Sequence, residues 1–236
     1  MDGLQAERRR AQGVGPGPLS APPIRVVLFD YDGVLLPPSD FTAELRRHYG
    51  IEREQLRAFF DADAWRRCLV GDADLERELA PYLVDWGWPG NAAEFVAMAF
   101  DGQAGEDRRL LRAIGALRRR GLRCALASNQ ERIRGAALAG RLGSAGTFDD
   151  LFFSFELRAR KPEAAFYERV AATLGEPGAG LLFFDDRPEN VAAARGNGWN
   201  AERFTGFEAF PDQLAAYAGR LGSGDLELGF LFGDPA

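Results

Sequence analysis

The chain has 236 residues, of which 46% are hydrophobic and 27% charged, and its formal net charge is −6 at pH 7. This composition is typical of an ordinary folded protein, and the negative charge disfavours a nucleic-acid partner, whose phosphates are neutralised by basic residues. No apolar stretch reaches the roughly 18 residues of a membrane helix. We also expect no secretory signal, because Gly and Pro follow the basic cluster at 8–10, and we predict a cytoplasmic protein with reduced cysteines.

In chain order, residues 1–22 are rich in Gly, Pro and Arg and predict a disordered N-terminal tail. Short apolar runs predict five strands, at 25–30, 123–129, 151–155, 181–186 and 200–204. Their hydrophobicity is mostly continuous, which is typical of parallel strands covered on both faces. Helical patterns separate them at 108–120, 164–174 and 191–195. The alternation predicts a doubly wound, Rossmann-like α/β sheet.

One connection differs from the others. Between the first two strands, residues 39–106 show only helical patterns, at 41–49, 52–60, 74–83 and 91–100. A structureless loop of this length is uncommon in a compact protein. We therefore predict a helical cap domain over 39–106, inserted into a core formed by 23–38 and 107–221, with a C-terminal tail at 222–236. Trp86 and Trp88 either pack inside this cap or line a substrate pocket.

Polar residues end the predicted strands. Because ligands bind beyond the carboxyl ends of parallel strands, these residues are expected to meet at one edge; they are Asp30, Asp32, Ser128, Asn129, Asp185 and Asp186. Carboxylates held this close repel one another, and a divalent cation would offset the repulsion. An all-oxygen set without a His or Cys cluster favours Mg²⁺ over zinc.

A cation and two neutral donors accompany these acids. Lysine occurs once in the sequence, at Lys161, whereas the other 28 of its 29 basic residues are arginine. Together with Ser128 and Asn129, Lys161 suits an anion with several oxygens. Phosphoryl transfer needs such charge neutralisation and an in-line nucleophile, and an aspartate can be that nucleophile.

These motifs resemble those of the haloacid dehalogenase (HAD) superfamily. The run DYDGVL at 30–35 resembles its first motif, Ser128-Asn129 its second and Lys161-Pro162 its third. The run DDRPEN at 185–190 resembles the fourth motif in its double-aspartate form. The likeness spans roughly residues 24–217. It is closest to helical-capped sugar-phosphate phosphatases and to the N-terminal phosphatase domain of soluble epoxide hydrolase.

The resemblance assigns a role to each residue at the first two motifs. It implies that Asp30 is the nucleophile and a metal ligand. It makes Asp32 the general acid and base, whose backbone carbonyl also reaches the metal. Gly33 would allow the sharp turn after the strand, and Ser128 with Asn129 would bind the transferring phosphoryl group.

The remaining motifs carry charge and metal roles by the same resemblance. Lys161 would neutralise the phosphoryl group. Asp186 would coordinate Mg²⁺ directly, Asp185 directly or through water, and Asn190 would orient their loop. The resemblance thus implies a Mg²⁺-dependent phosphatase that hydrolyses a small phosphomonoester, a sugar phosphate or similar metabolite, through an aspartyl-phosphate.

Three alternatives stay open. A phosphomutase of sugar phosphates would use the same loops, and a non-catalytic binding module could keep the same fold. Haloacid dehalogenation is disfavoured by Asp32, since that chemistry needs no acid or base there.

His48 is the only histidine and is expected on the surface, which argues against a Ser-His-Asp triad. Three arginines are possible substrate contacts that nothing in the sequence selects: Arg66, Arg67 and Arg187.

Overall fold

A computed structural model describes residues 21–38, 41–101 and 105–221 of the chain. Most of the predicted N-terminal tail, and all of the predicted C-terminal tail, lie outside these ranges. Within them, no helix is both long enough and apolar enough to cross a bilayer.

The centre of the molecule is a parallel sheet of five strands in the order β3-β2-β1-β4-β5. The strands are β1 (Val26–Phe29), β2 (Arg123–Ser128), β3 (Asp150–Phe153), β4 (Leu181–Asp185) and β5 (Asn200–Arg203). The central strand β1 and its neighbour β4 are buried along their whole length, which explains their continuous hydrophobicity. The α/β fold class predicted from the sequence is confirmed.

Among the described residues, six helices lie between β1 and β2, and the first five belong to the segment predicted as a cap. These five are α1 (Phe41–Tyr49), α2 (Arg53–Phe60), α3 (Asp63–Leu69), α4 (Leu75–Asp85) and α5 (Ala92–Asp101). We call residues 41–101 the helical insertion. Its buried residues, among them Phe59, Leu79, Trp86 and Phe95, form an apolar cluster of their own. The insertion therefore has a core separate from that of the sheet, and the cap boundaries predicted at 39 and 106 remain a prediction.

The remaining helices are α6 (Arg108–Arg119), α7 (Arg132–Ser144), α8 (Ser154–Leu157), α9 (Ala164–Leu174), α10 (Pro188–Gly196) and α11 (Phe210–Ala215). They cover both faces of the sheet. Successive side chains of β1 enter different clusters, Val27 and Phe29 on one face and Val26 and Leu28 on the other. This alternation is the normal consequence of the strand's two-residue period.

Some local predictions differ from the structure. The predicted strand at 151–155 stops at Phe153, because Ser154 begins α8 and its hydroxyl exchanges hydrogen bonds with the backbone of Gln130. The sequence did not predict α7, whose apolar pattern is diluted by glycines such as Gly135 and Gly140. It also missed α3, α8 and α11, which are all short.

Candidate active site

The parallel register brings the acidic strand ends together. Phe29 pairs with Phe184 across β1 and β4, and the N–H of Asp30 donates to the carbonyl of Phe184 at 2.9 Å. Asp30 and Asp185 therefore leave the sheet side by side. Carboxylate oxygens of Asp30, Asp185 and Asp186 lie within 4.8 Å of one another. The expected convergence at one edge is present in the structure.

Lys161 lies between the two most buried carboxylates of this group. Its Nζ is 2.9 Å from Oδ1 of Asp30 and 2.7 Å from Oδ2 of Asp185, and it also donates to the carbonyl of Ala127 at 3.0 Å. The lysine is 1% exposed, so its charge has almost no contact with water. A buried ammonium is tolerated only with such partners, and this one has a carboxylate on each side.

Burial and neighbouring charges shift the pKa values of these acidic groups and of Lys161. Burial raises the pKa of Asp30 from 3.8 to about 7, against the attraction of Lys161 and with the added repulsion of Asp185. Burial and the neighbouring Asp185 also raise the pKa of Asp186. For Lys161, burial lowers the pKa, but Asp30 and Asp185 outweigh it and the net direction is upward. One lysine therefore does not balance the charge of three carboxylates.

Asp185 is held by its own loop. The side-chain amide of Asn190 donates to both of its oxygens, at 3.0 and 3.1 Å, and the backbone N–H of Arg187 donates to Oδ1 at 2.9 Å. With Lys161 on Oδ2, this carboxylate has several fixed donors. Asn190 is buried on α10 directly after the acidic pair, so it lies where the resemblance expects a residue that orients the loop.

Gly33 makes room for Asp186. Its φ is +78°, and a Cβ built there would lie 2.4 Å from Cγ of Asp186. Any side chain at this position would collide with the carboxylate and would also strain the backbone. The predicted turn is therefore present, and the close approach of Asp186 is a second reason for glycine that the sequence does not reveal.

Two hydrogen bonds join the second motif to the third. The side-chain amide of Asn129 donates to the carbonyl of Lys161 at 2.9 Å and accepts from its N–H at 2.8 Å. One of the two N–H donors of this amide is used in that contact. Ser128 is 1% exposed, and its hydroxyl accepts from Nε2 of Gln130 at 3.0 Å. Ser128 and Asn129 both line the active-site cavity.

The carboxylate of Asp32 points to a different set of partners. Arg134 donates to both of its oxygens, at 2.6 and 2.8 Å, and Gln130 donates to Oδ2 at 2.9 Å. Its side chain is 47% exposed and is not part of the carboxylate trio. Asp32 remains a predicted metal ligand only through its backbone carbonyl. The sequence did not single out Gln130 or Arg134, although both follow the second motif within six residues.

An outer cavity of about 660 Å³ opens above these groups, between the sheet edge and the helical insertion. It is lined by Asp30, Asp32, Lys161 and Asp186 from the sheet side and by Trp65 from the insertion, among others. Two of the three arginines that the sequence left unselected, Arg66 and Arg187, also line it. Arg67 instead pairs with Glu78 at 2.9 Å, and His48 is exposed as expected.

The carboxylate trio fits a magnesium ion. The donors are all oxygen, and buried carboxylates with one intervening lysine leave an excess of negative charge that a divalent cation would neutralise. Magnesium typically keeps several waters and takes few protein carboxylates, which agrees with a group that faces a large cavity. Asp30 and Asp186 would hold the ion directly, with Asp185 in direct or water-mediated support.

Comparison with known proteins agrees with this geometry. The family model described as haloacid dehalogenase-like hydrolase matches residues 24–198. The chain belongs to this hydrolase family. No curated protein matches the sequence of this HAD-like hydrolase.

Several solved structures share the fold. A HAD-family enzyme of Bacteroides thetaiotaomicron, in complex with magnesium and inorganic phosphate, is 18% identical with a TM-score of 0.65 over 76% of this chain and 93% of its own. A HAD-like hydrolase of Porphyromonas gingivalis is 23% identical with a TM-score of 0.67 over 82% and 97%. The L-2-haloacid dehalogenase of Xanthobacter autotrophicus is 22% identical with a TM-score of 0.59 over 88% and 86%. At these identities the likeness concerns the fold alone.

Proposed function

We propose that this HAD-like hydrolase is a Mg²⁺-dependent phosphatase that acts on a small phosphomonoester through an aspartyl-phosphate at Asp30. The observation that supports the proposal is the group of Asp30, Asp185, Asp186 and Lys161, of which Asp30, Asp186 and Lys161 line the outer cavity. Its fold neighbour from Bacteroides thetaiotaomicron was crystallised with magnesium and inorganic phosphate, the two species that this site would hold.

The residues suggest a two-step reaction. A carboxylate oxygen of Asp30 attacks phosphorus, the bond to the leaving oxygen breaks, and an acyl-phosphate forms. Asp32 protonates the leaving oxygen and then takes a proton from the water that attacks phosphorus, which releases phosphate and restores Asp30. The donors of Ser128 and Asn129 hold the phosphoryl oxygens, and the positive charge of Lys161 offsets the negative charge of the phosphoryl group. A bound Mg²⁺ would neutralise charge on the phosphoryl group and on the attacking carboxylate.

The buried lysine also explains why Asp30 can be ionised when it attacks. A nucleophilic carboxylate must be charged, yet burial favours its neutral form. The positive charge of Lys161, 2.9 Å away, favours the ionised form instead, and a metal ion bound by the three carboxylates would favour it further. We expect the nucleophile to become fully available only with the cation bound.

The family also contains a dehalogenase, which defines the main competing activity. Attack by an aspartate on a carbon that carries a halide needs no acid or base. The carboxylate of Asp32, which lines the same cavity and is fixed by Arg134 and Gln130, has no role in that reaction. This residue favours phosphoester chemistry, in which the leaving oxygen must gain a proton.

The test is phosphate release from a panel of phosphomonoesters with MgCl₂ or with EDTA. We expect Mg²⁺-dependent turnover that falls by about 10³-fold or more in Asp30→Asn. The matched control is Glu168→Gln, a carboxylate-to-amide change on the exposed face of α9, which should keep wild-type activity. Beryllium fluoride should form an aspartyl-phosphate mimic at Asp30 in the wild type.

Three results would contradict the proposal. One is a folded protein that releases no phosphate from any ester in the presence of Mg²⁺. Another is halide release from a 2-haloacid without metal, which would reassign the chain as a dehalogenase. The third is product formation that requires a bisphosphate and releases little free phosphate, which would indicate a phosphomutase.

A further inference from the structure

A second cavity, which we call the inner pocket, extends from the active site into the helical insertion. Its volume is about 190 Å³. Four residues line both this pocket and the outer cavity, so the two adjoin: Asp32, Asn129, Phe60 and Trp65. The candidate acid and base, Asp32, therefore lies at the border between the two cavities.

The wall of the inner pocket has two chemically distinct sides. Every residue that the helical insertion contributes is apolar, and most of these are aromatic, including Phe59, Trp86, Phe95 and Phe100. Their only polar side-chain atoms are indole N–H groups. Every residue that the sheet edge and the start of α7 contribute is polar. A ligand that enters from the phosphate site would therefore place its far end against carbon.

The polar side offers few partners to a ligand. The oxygen and one N–H of the Asn129 amide are bound to the backbone of Lys161, and the carboxylate of Glu131 accepts two N–H groups at the start of α7. Gln130 and Arg134 are bound to Asp32 and to each other, at 3.2 Å in the latter case. Hydroxyl groups placed in this pocket would lose water without gaining comparable hydrogen bonds, which is unfavourable.

Phe60 marks the entrance. The residue is 44% exposed, and it is one of three large apolar residues that are exposed among the described residues. Its ring stands edge-on to Trp65, with centroids 5.1 Å apart and planes at 86°. An exposed ring paired with a half-buried one beside the outer cavity is a suitable contact for another ring. An apolar cavity of about 150 Å³ is enough for benzene, so the inner pocket has space for one aromatic ring.

We propose that the inner pocket binds the leaving-group end of the substrate, and that the substrates are phosphomonoesters of alcohols carrying an apolar ring rather than sugar phosphates. This inference rests on the proposed phosphatase function and narrows it. The sequence left two roles open for Trp86, packing inside the cap or lining a substrate pocket. In this proposal Trp86 has both roles, because it belongs to the core of the insertion and also lines the inner pocket.

The first test compares 2-phenylethyl phosphate with glucose 6-phosphate in the wild-type enzyme with Mg²⁺. Both are esters of primary alcohols, so the basicity of the leaving oxygen differs little and the comparison reports on binding of the remainder. We expect kcat/KM to favour the phenyl ester by about tenfold or more, since pocket contacts of this kind are worth about 10- to 200-fold. Equal values, or a preference for glucose 6-phosphate, would overturn the proposal.

The second test fills the pocket. Ala99 lines it from α5, whereas Ala97 on the same helix is exposed and outside it. Ala99→Leu should lower the ratio of kcat/KM for the phenyl ester to that for glucose 6-phosphate by about tenfold. Ala97→Leu, the matched control, should keep the wild-type ratio. The same ratio in both variants would indicate that the inner pocket is only a packing space within the insertion.

A binding measurement separates this proposal from the proposed function. The non-hydrolysable 2-phenylethylphosphonate, titrated with Mg²⁺ present, should change the fluorescence of Trp65 and Trp86 and bind about tenfold more weakly to Ala99→Leu. If no ester is hydrolysed but this binding pattern holds, the phosphatase assignment fails and the pocket stands. If esters are hydrolysed without the preference for the ring, the pocket assignment alone fails.

Discussion

Replacing Asp30 with Asn should stabilise the metal-free protein while it abolishes turnover. In the fold, Asp30 is almost fully buried beside Asp185, and its pKa is raised to about 7 from 3.8. Asn has nearly the same shape as the protonated acid, so it keeps the packing and removes the charge. The variant therefore avoids the cost of burying a carboxylate that Lys161 offsets only in part.

The size of this stability gain, and the pH range in which it appears, follow from the difference in the pKa of Asp30 between the folded and unfolded states. Because the folded-state pKa lies above the unfolded value, the folded wild type binds the extra proton between about pH 4 and 7, and its free energy of unfolding falls as the pH rises through that window. A folded-state pKa of about 7 corresponds to about 4 kcal/mol at pH 8, at 1.36 kcal/mol per pH unit. This value is an upper limit on the gain in free energy of unfolding of Asp30→Asn over the wild type. The gain should vanish near pH 4.

The assay is urea unfolding of wild type, Asp30→Asn and Glu168→Gln at pH 5 and pH 8, each in EDTA and in MgCl₂. In EDTA, the advantage of Asp30→Asn should be larger at pH 8 than at pH 5. Mg²⁺ should stabilise the wild type more than Asp30→Asn at pH 8, because Asn offers only a neutral oxygen to the ion. Glu168→Gln should stay within about 0.5 kcal/mol of wild type throughout.

Two results would refute this reasoning. Asp30→Asn could be less stable than wild type in EDTA at pH 8, which would mean that the ion pair with Lys161 outweighs the burial of the carboxylate. Alternatively, its advantage could be independent of pH, which would mean that the charge of Asp30 does not limit stability.

Two further substitutions test the same site. Lys161→Met leaves two buried carboxylates without their cation and should cost about 3–5 kcal/mol in urea unfolding at pH 8 in EDTA; a loss below about 1 kcal/mol would show that they are already neutral. Gly33→Ala places a Cβ against Asp186 at a φ of +78° and should cost about 1–3 kcal/mol and weaken Mg²⁺ binding by calorimetry. Gly121→Ala, at a φ of +84° with no atom near its Cβ, shares the strain without the clash, so it should leave the Mg²⁺ affinity unchanged.

The sequence alone indicated the fold class and the edge of the sheet where chemistry would occur. Buried parallel strands carry continuous apolar runs, and polar residues that end such runs must meet wherever the strands are parallel and in register. Asp30, Ser128 and Asp185 were recognised for this reason. The helical insertion was visible as well, because its helices repeat their apolar residues at a period that differs from that of a strand.

Only the tertiary structure decided which groups face each other. The contact of Arg134 with Asp32 joins residues 102 positions apart, and the inner pocket brings α2, α4 and α5 against the second motif. One of the two reasons for glycine at position 33 is the close approach of Asp186, which lies far along the chain. Local patterns of hydrophobicity carry no information about such distances, because they record which side of an element is buried and not what packs against it. The ring-binding pocket proposed for this hydrolase is therefore a property of the folded chain alone.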